Sequence, residues 1–517
     1  MTQAPLYAPR EPIFPRRVSG AFRRLKWWIM GVTLAIYYLT PWIRWDRGPN
    51  LPDQAVLVDL ANRRFYFFWI EIWPHEFYFV AGLLIMAGLG LFLFTSALGR
   101  VWCGYTCPQT VWTDLFILVE RWIEGDRNAR VRLHRAKWDF HKWRLRVSKW
   151  VVWLTISLAT GGAWVFYFTD APALAADLVR LTAHPVAYIT IAVLTLTTFV
   201  FGGFMREQVC IYMCPWPRIQ AAMMDPDTIT VAYREWRGEP RGKGNVRKRD
   251  RAAAEKAERE AQAAGEGQQV RYKATPYPSM PLQVGGAPKL TAEINEHGDC
   301  IDCMACVNVC PMGIDIRDGQ QMECITCALC IDACDDVMDK IGKPRGLIDY
   351  MALSDEAAER AGGVPKSIWR HIFRPRTLLY TALWAALGAG LVYALFIRSD
   401  IELTVSAVRN PTYVMQSDGS IRNIYDVRLR NKLGEDRVFH LSLSSDDLLR
   451  IEVQGADGTL DVNVPADSTT LQRVYVTARP QDPAATRANT DLRIWVEDKG
   501  TGDRASRTTT FNGKESE

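Results

Sequence analysis

The runs Cys300-x2-Cys303-x2-Cys306-x3-Cys310-Pro311 and Cys324-x2-Cys327-x2-Cys330-x3-Cys334 repeat one spacing twice and use eight of the chain's twelve cysteines. Three evenly spaced thiols on a tight loop cover three corners of an iron-sulfur cube, and the fourth corner is filled from the other run. The spacing therefore predicts two [4Fe-4S] clusters, one on Cys300, Cys303, Cys306 and Cys334, the other on Cys324, Cys327, Cys330 and Cys310. Paired zinc sites fit poorly, because structural zinc usually takes two Cys-x2-Cys pairs separated by a longer loop. A disulfide framework is equally at odds with so regular a repeat. Residues 289–345 are accordingly read as a dicluster ferredoxin-like α+β domain.

Around this unit the composition is split. Of 517 residues 48% are hydrophobic and 19 are Trp, yet the mean hydropathy is only −0.08, so apolar stretches must alternate with soluble ones. A bilayer-spanning helix needs about 20 apolar residues, and 77–98, 150–168, 186–205 and 378–397 meet that need. The stretch 27–43 is shorter and broken by Pro41, but its Trp-rich ends suit a membrane interface, giving about five spans. Lys and Arg crowd the N-terminus (Arg16, Arg17, Arg23, Arg24, Lys26), the loop between the second and third spans (Arg121 to Lys149) and the segment after the fourth (Arg234 to Arg251). The positive-inside rule puts these in the cytoplasm and the C-terminus on the opposite side. All twelve cysteines then fall at or inside the cytoplasmic face, where thiols stay reduced. The first apolar segment is not expected to be cleaved as a signal peptide, since a long basic stretch precedes it and no small-residue site follows.

The resulting division is a basic N-terminus 1–26, a membrane domain 27–220, a cytoplasmic linker 221–288, the ferredoxin unit 289–345, a connector 346–377, the fifth span 378–397 and a tail 400–517. A net charge of +5 is too small to argue for nucleic acid. The basic run Arg247 to Arg251 is better explained by topology and contact with membrane lipid.

The other four cysteines form a second repeat, Cys103-x3-Cys107-Pro108 and Cys210-x3-Cys214-Pro215, each just after an outside-to-inside span. Residues four apart share a helix face, so each motif should present two thiols together, with proline fitting a break or restart. If the two spans pack together, the four thiols meet. Soft thiolates select Cu(I), zinc or an iron-sulfur cluster, and a pair can also cycle as a disulfide. Met205, Met213, Met223 and Met224 would add thioether sulfur favouring copper, although methionine near a membrane is more often packing.

The order of a basic N-terminus, two Cys-x3-Cys-Pro repeats, a dicluster ferredoxin, a last span and a C-terminal tail resembles the cytochrome c oxidase accessory protein family of the FixG, RdxA and CcoG type. The resemblance covers essentially the whole chain. It implies a bacterial inner-membrane oxidoreductase, a cupric reductase delivering Cu(I) during assembly of cbb3-type cytochrome c oxidase. Cys103, Cys107, Cys210 and Cys214 would be its catalytic, copper-binding thiols. One departure is Asp335 after Cys334, where the pattern has proline; this touches loop shape and redox potential, not ligation.

The tail alternates apolar and polar residues in several short segments, beginning at Glu402, Tyr425, Val438, Leu471 and Leu492, with turn signals at Asp418-Gly419 and Asp457-Gly458. That pattern argues a periplasmic, all-β, Ig-like sandwich of about seven strands. Without cysteines or a catalytic constellation, it reads as a module for docking the oxidase or a copper-delivery factor. His75 and His184 are weaker candidates for ligands, and His134 and His141 accompany Trp138 and Trp143 on a membrane-surface helix. In the mechanism expected, a donor not specified by the sequence feeds single electrons through the clusters to the membrane thiols, which reduce Cu(II). A quinol-linked conduit and a redox sensor are the alternatives, and homo-oligomerisation stays open.

Overall fold

Long uncharged stretches in lipid must satisfy their backbone internally, which makes them helices. Among the described residues, three helices are long and apolar enough to cross a membrane: Pro74–Leu98, Pro185–Gly203 and Pro375–Phe396. They contain the expected spans 77–98, 186–205 and 378–397 to within two residues. The other two expected spans fall in helices Ala21–Leu39 and Phe140–Val165. Both begin earlier than predicted and take in charged residues, Arg23, Arg24 and Lys26 in one and Lys142, Arg144, Arg146 and Lys149 in the other. Neither is therefore apolar throughout. The computed structural model describes residues 12–48, 51–243, 298–398 and 401–514, apart from 433, 446 and 457. Within the expected linker 221–288, residues 244–288 lie outside this set with the whole run Arg247 to Arg251; so do 1–11, 289–297, Asp400 and Asp457.

Two compact units divide the chain, one built from 1–42, 57–65 and 72–388, the other from 43–56, 66–71 and 389–517. In the first, helices Pro108–Glu124, Phe140–Val165 and Pro185–Gly203 pack closely because glycine lines their contacts. Phe116 and Trp153 stack with ring centroids 5.2 Å apart. A Cβ on Gly203 would stand 2.8 Å from the Trp153 ring, and one on Gly161 2.9 Å from the Ile191 carbonyl oxygen. Small residues at helix crossings allow such approach in lipid.

Part of the basic loop Arg121 to Lys149 is buried. Arg130 is fully buried, and its guanidinium pairs with Glu120. Glu120 also meets Arg206 at 2.7 Å and Lys149 at 3.4 Å. Burial raises the Glu120 carboxyl, but the cations Arg206, Arg130 and Lys149 outweigh it and hold it down at about 2. A second buried pair joins Arg23 to Asp114 at 2.9 Å.

Two helices, Ala305–Val309 and Leu329–Lys340, carry Cys306, Cys330 and Cys334, and Cys310 directly follows the first. Their sheet partner comes from outside the predicted domain. Strand Ile229–Tyr233 pairs antiparallel with Ile348–Ala352, with Val231 opposite Tyr350. The predicted boundaries are corrected accordingly: 229–233 is not linker and 348–352 is not connector, since both close the ferredoxin core. Val231, Ile331, Met338, Leu347 and Ile348 are buried in that core beside Cys300, Cys306 and Cys334.

In the second unit, alternation gives strands whose inward faces are apolar. Strand Ile421–Asn431 buries every second residue. One sheet runs in order Arg450–Val453, Thr469–Ala478, Ile421–Asn431, Ile401–Ala407, with Val414–Met415 also on Ile421–Asn431. The other runs Asp461–Val464, Arg437–Ser444, Thr490–Asp498, Arg504–Phe511. The described strands number nine against about seven expected, because Val414–Met415 and Asp461–Val464 are too short to show a period. Tyr425, Leu429, Leu441, Val476, Ile494 and Phe511 fill the core.

Candidate iron-sulfur and thiol site

The two cysteine loops have the same backbone shape. Asp302 and Met304 in one, Thr326 and Ala328 in the other, take positive φ of 50, 59, 53 and 58°. These are equivalent positions of the repeat, two and four residues after its first cysteine. Left-handed non-glycine residues cost roughly 1–2 kcal/mol each, so strain repeated in register marks a functional loop.

Each loop borders a cavity. One is lined by Cys300, Cys303, Cys306 and Cys334 with Tyr233, Met338, Leu347 and Ile348. The other is lined by Cys310, Cys324, Cys327 and Cys330, with Cys306 also at its wall and Val231, Met312, Ile314, Ile316 and Ile325 around it. These are the two sets assigned from spacing. Among the described residues no three His, Cys, Asp or Glu side chains close on a single ion; the thiols instead ring spaces larger than one ion. Burial pushes Cys306 and Cys324 up to about 11 and Cys310 and Cys334 to about 12. Such thiols give up their protons when iron supplies the compensating charge. Donor set, apolar walls and spacing all fit [4Fe-4S] clusters.

The Cys-x3-Cys-Pro motifs do not present their thiols on one continuous helix, which corrects the face-sharing expectation. Cys103 lies in the short helix Val101–Tyr105, whereas Cys107 has ψ 128° and caps Pro108–Glu124. Proline at the first helical position restarts the chain there. Cys210 lies in a π-helical turn, Val209–Met213, and Cys214 leaves it extended, with ψ 124°, before Trp216–Met223. Single π turns occur mostly at functional sites. Tertiary packing then draws the motifs together. Burial comes first in pushing the Cys103 and Cys210 thiols up to about 12, and Cys107 and Cys214 add to both. Cys210 also acts on Cys103, so all four thiols lie within electrostatic reach. The Cys103 thiol donates to Gln220 Oε1 at 3.1 Å, and Gln220 Nε2 donates to Thr95 at 3.2 Å. Met223 is buried as a packing residue, whereas Met213 is exposed.

This thiol group abuts the second cysteine loop. Cys103, Cys210 and Ile211 pack against the apolar cluster of Ile325, Cys327 and Leu329. A Cβ on Gly104 would stand 2.6 Å from the Ile325 carbonyl oxygen and 3.0 Å from Cys327 Cα. The Tyr105 hydroxyl donates to the Cys327 carbonyl at 3.2 Å. Arg100 donates to the Met322, Cys324 and Pro217 carbonyls, bolting the loop to both motifs. Asp332, between Cys330 and Cys334, accepts from the Phe22 and Arg23 amides at 3.2 and 2.7 Å, capping helix Ala21–Leu39. Sequence reasoning missed Arg100, Gly104, Tyr105, Gln220 and Asp332. The position of Gly104 and Tyr105 between two thiols was the available signal.

Among the described residues no histidine lines either cavity. His184 accepts from Val186 N–H at 3.4 Å as a helix cap, and His75 stands 3.7 Å from Glu76. His134 contacts Phe14 with ring centroids at 5.5 Å, while Trp138 and Trp143 pair at 5.0 Å and His141 is exposed.

Family models match most of this architecture. A 4Fe-4S dicluster domain matches residues 205–279 and 283–353, and a 4Fe-4S binding domain matches 79–127. The IG-like fold at the C-terminal of FixG matches 391–514. Protein RdxB of Cereibacter sphaeroides is 65% identical over 98% of this chain and 98% of its own length. The chain belongs to the FixG/RdxA-type family. Protein RdxA of the same organism is 61% identical over 96% of this chain and 95% of its own. The nitrogen fixation protein FixG of Rhizobium meliloti is 51% identical over 92% of this chain and 88% of its own. A solved FixG-related protein from Vibrio parahaemolyticus matches at 16% identity and TM-score 0.20, covering 23% of this chain and 99% of that one. As a FixG/RdxA-type protein, this is a membrane iron-sulfur electron-transfer protein with an Ig-like C-terminal domain.

Proposed function

We propose that this FixG/RdxA-type protein is a cupric reductase serving assembly of a cbb3-type cytochrome oxidase. The observation that carries the reading is the packing of Cys103 and Cys210 against the Cys324–Cys327 loop, with Cys107 and Cys214 within electrostatic reach of both. Bound clusters supply one-electron redox chemistry. Copper is the substrate: one electron converts Cu(II) to Cu(I), no bond need break and no proton need move. Cys103, Cys107, Cys210 and Cys214 receive the ion, because thiolate ligands favour Cu(I). Gly104 permits contact between motif and loop, and Tyr105 and Arg100 fix it. The distribution of Lys and Arg supports a cytoplasmic ferredoxin unit in a bacterial inner membrane, with about five spans and the Ig-like domain in the periplasm. An extracytoplasmic sandwich without a catalytic constellation suits docking to the oxidase or a copper-delivery factor.

The test is Cu(II) reduction by full-length protein supplied with reductant, comparing wild type with a variant in which Cys103, Cys107, Cys210 and Cys214 are all Ser. Loss of reduction with retained iron and sulfide is the expected result; equal rates would remove the thiols from the mechanism. A second reading has support of its own, since the 4Fe-4S binding model spans Cys103 and Cys107. In that case the four thiols would hold iron, and anaerobic metal analysis of the same variant would show iron lost with them.

A further inference from the structure

The two cluster sites differ in charge. Arg100 is buried, 3% exposed, beside the Cys310/Cys324/Cys327/Cys330 site. Its guanidinium donates only to carbonyls, reaching the Cys324 oxygen at 3.3 Å, and among the described residues no carboxylate pairs with it. Its Nε has no partner. Cys103, Cys324 and then Glu323 act on it through space, and none of them forms an ion pair with it. The other cavity also has an arginine, Arg317, but that charge is spent. Arg317 pairs with Asp302 at 2.7 Å and with Asp315 at 2.6 Å. Asp335 adds a further carboxylate acting on Cys334. One site therefore has a buried cation with no carboxylate ion pair, while the arginine at the other is paired with two carboxylates.

Reduction adds one negative charge to a cluster, so a nearby unpaired cation favours it and carboxylates oppose it. We propose that Arg100 is a positioning residue that makes the Cys310/Cys324/Cys327/Cys330 site the more readily reduced of the two, so that an electron comes to rest beside the thiol group. The exchange is one electron: the Cys300/Cys303/Cys306/Cys334 site is oxidised by one, its neighbour reduced by one, and no bond or proton changes. Exposure of Cys303 favours the opposite order, because water stabilises added charge. Its three partner thiols are buried, however, and a buried guanidinium is screened far less than a surface charge.

The inference rests on the reading that both cysteine sets hold clusters, and the experiment separates the two. Full-length, cluster-loaded protein in detergent is titrated with dithionite and redox mediators and followed by EPR. Absence of iron and sulfide from the wild type would refute the cluster reading itself. With clusters present, Cys303→Ser is expected to alter the lower-potential signal, and Arg100→Gln to lower the higher one by about tenfold in its reduction equilibrium, about 59 mV. Arg100→Lys, which keeps the charge, should leave it in place. The proposal is overturned if Cys303→Ser alters the higher signal, or if Arg100→Gln moves neither. Should Arg100→Gln fail to load, the Cys303→Ser assignment in the otherwise wild-type chain decides the order.

Discussion

Gly104 is held to glycine by space, not by backbone angle. A methyl group there would press on the Ile325 carbonyl, which belongs to a strained loop that cannot easily give way. Gly104→Ala is expected to cost about 1–3 kcal/mol, the usual range for overpacking, and to loosen the ferredoxin unit from the thiol motifs. Limited proteolysis and Cu(II)-reduction rates would register this. Tyr105→Phe, which removes one hydrogen bond, should cost about 1 kcal/mol. Glu120 is the other decisive residue. Its carboxyl is ordinarily near 4.5 and is held at about 2 by Arg206, Arg130 and Lys149. A depressed folded-state value contributes stability above the unfolded one, so this contribution is complete above about 4.5 and fades as pH falls toward about 2. Glu120→Gln strands buried cations and should destabilise by about 3–5 kcal/mol. Melting temperatures of wild type and variant should differ most at neutral pH and draw together as pH falls from about 4.5 toward about 2, where the folded carboxyl takes up its proton.

At the scale of elements, the strand Ile229–Tyr233 lies about seventy residues before the cysteine loops it supports, yet Val231 is 1% exposed and lines the second cavity. Val231→Asp places an unpaired carboxylate against apolar walls and should abolish the visible iron-sulfur absorbance while leaving the protein in the membrane fraction. The junction of helix Ala21–Leu39 with the ferredoxin unit depends on Asp332 in the same way. Removing an N-cap costs about 1 kcal/mol, so Asp332→Ala should lower the melting point while Asp332→Asn, which can still accept, largely restores it. Neither role was readable from local pattern. Ile229–Tyr233 has too few residues to show a period of two, and Asp332 lies on helix Leu329–Lys340, about three hundred residues from the amides it caps.

For the whole molecule, two compact units with separate cores predict that function divides between them. A chain ending at residue 398 should keep its clusters and its Cu(II) reduction in vitro but lose oxidase maturation in cells. Full maturation by that truncated chain would count against a docking role for the sandwich. The sequence alone marked out the two cysteine sets that line the cavities, three helices of bilayer length and the β-rich tail, because each is written in local spacing: the cysteine repeat, unbroken apolar runs, and alternation of period two. Tertiary structure decided the rest. Cys103 and Cys210 are brought together by glycine-lined helix packing, Arg100 and Tyr105 meet the Cys324–Cys327 loop across more than two hundred residues, and charges that look solvated are buried in pairs. Spacing along a chain fixes what one segment can ligate or bury, but a contact between distant segments depends on shape and charge that exist only once both have folded.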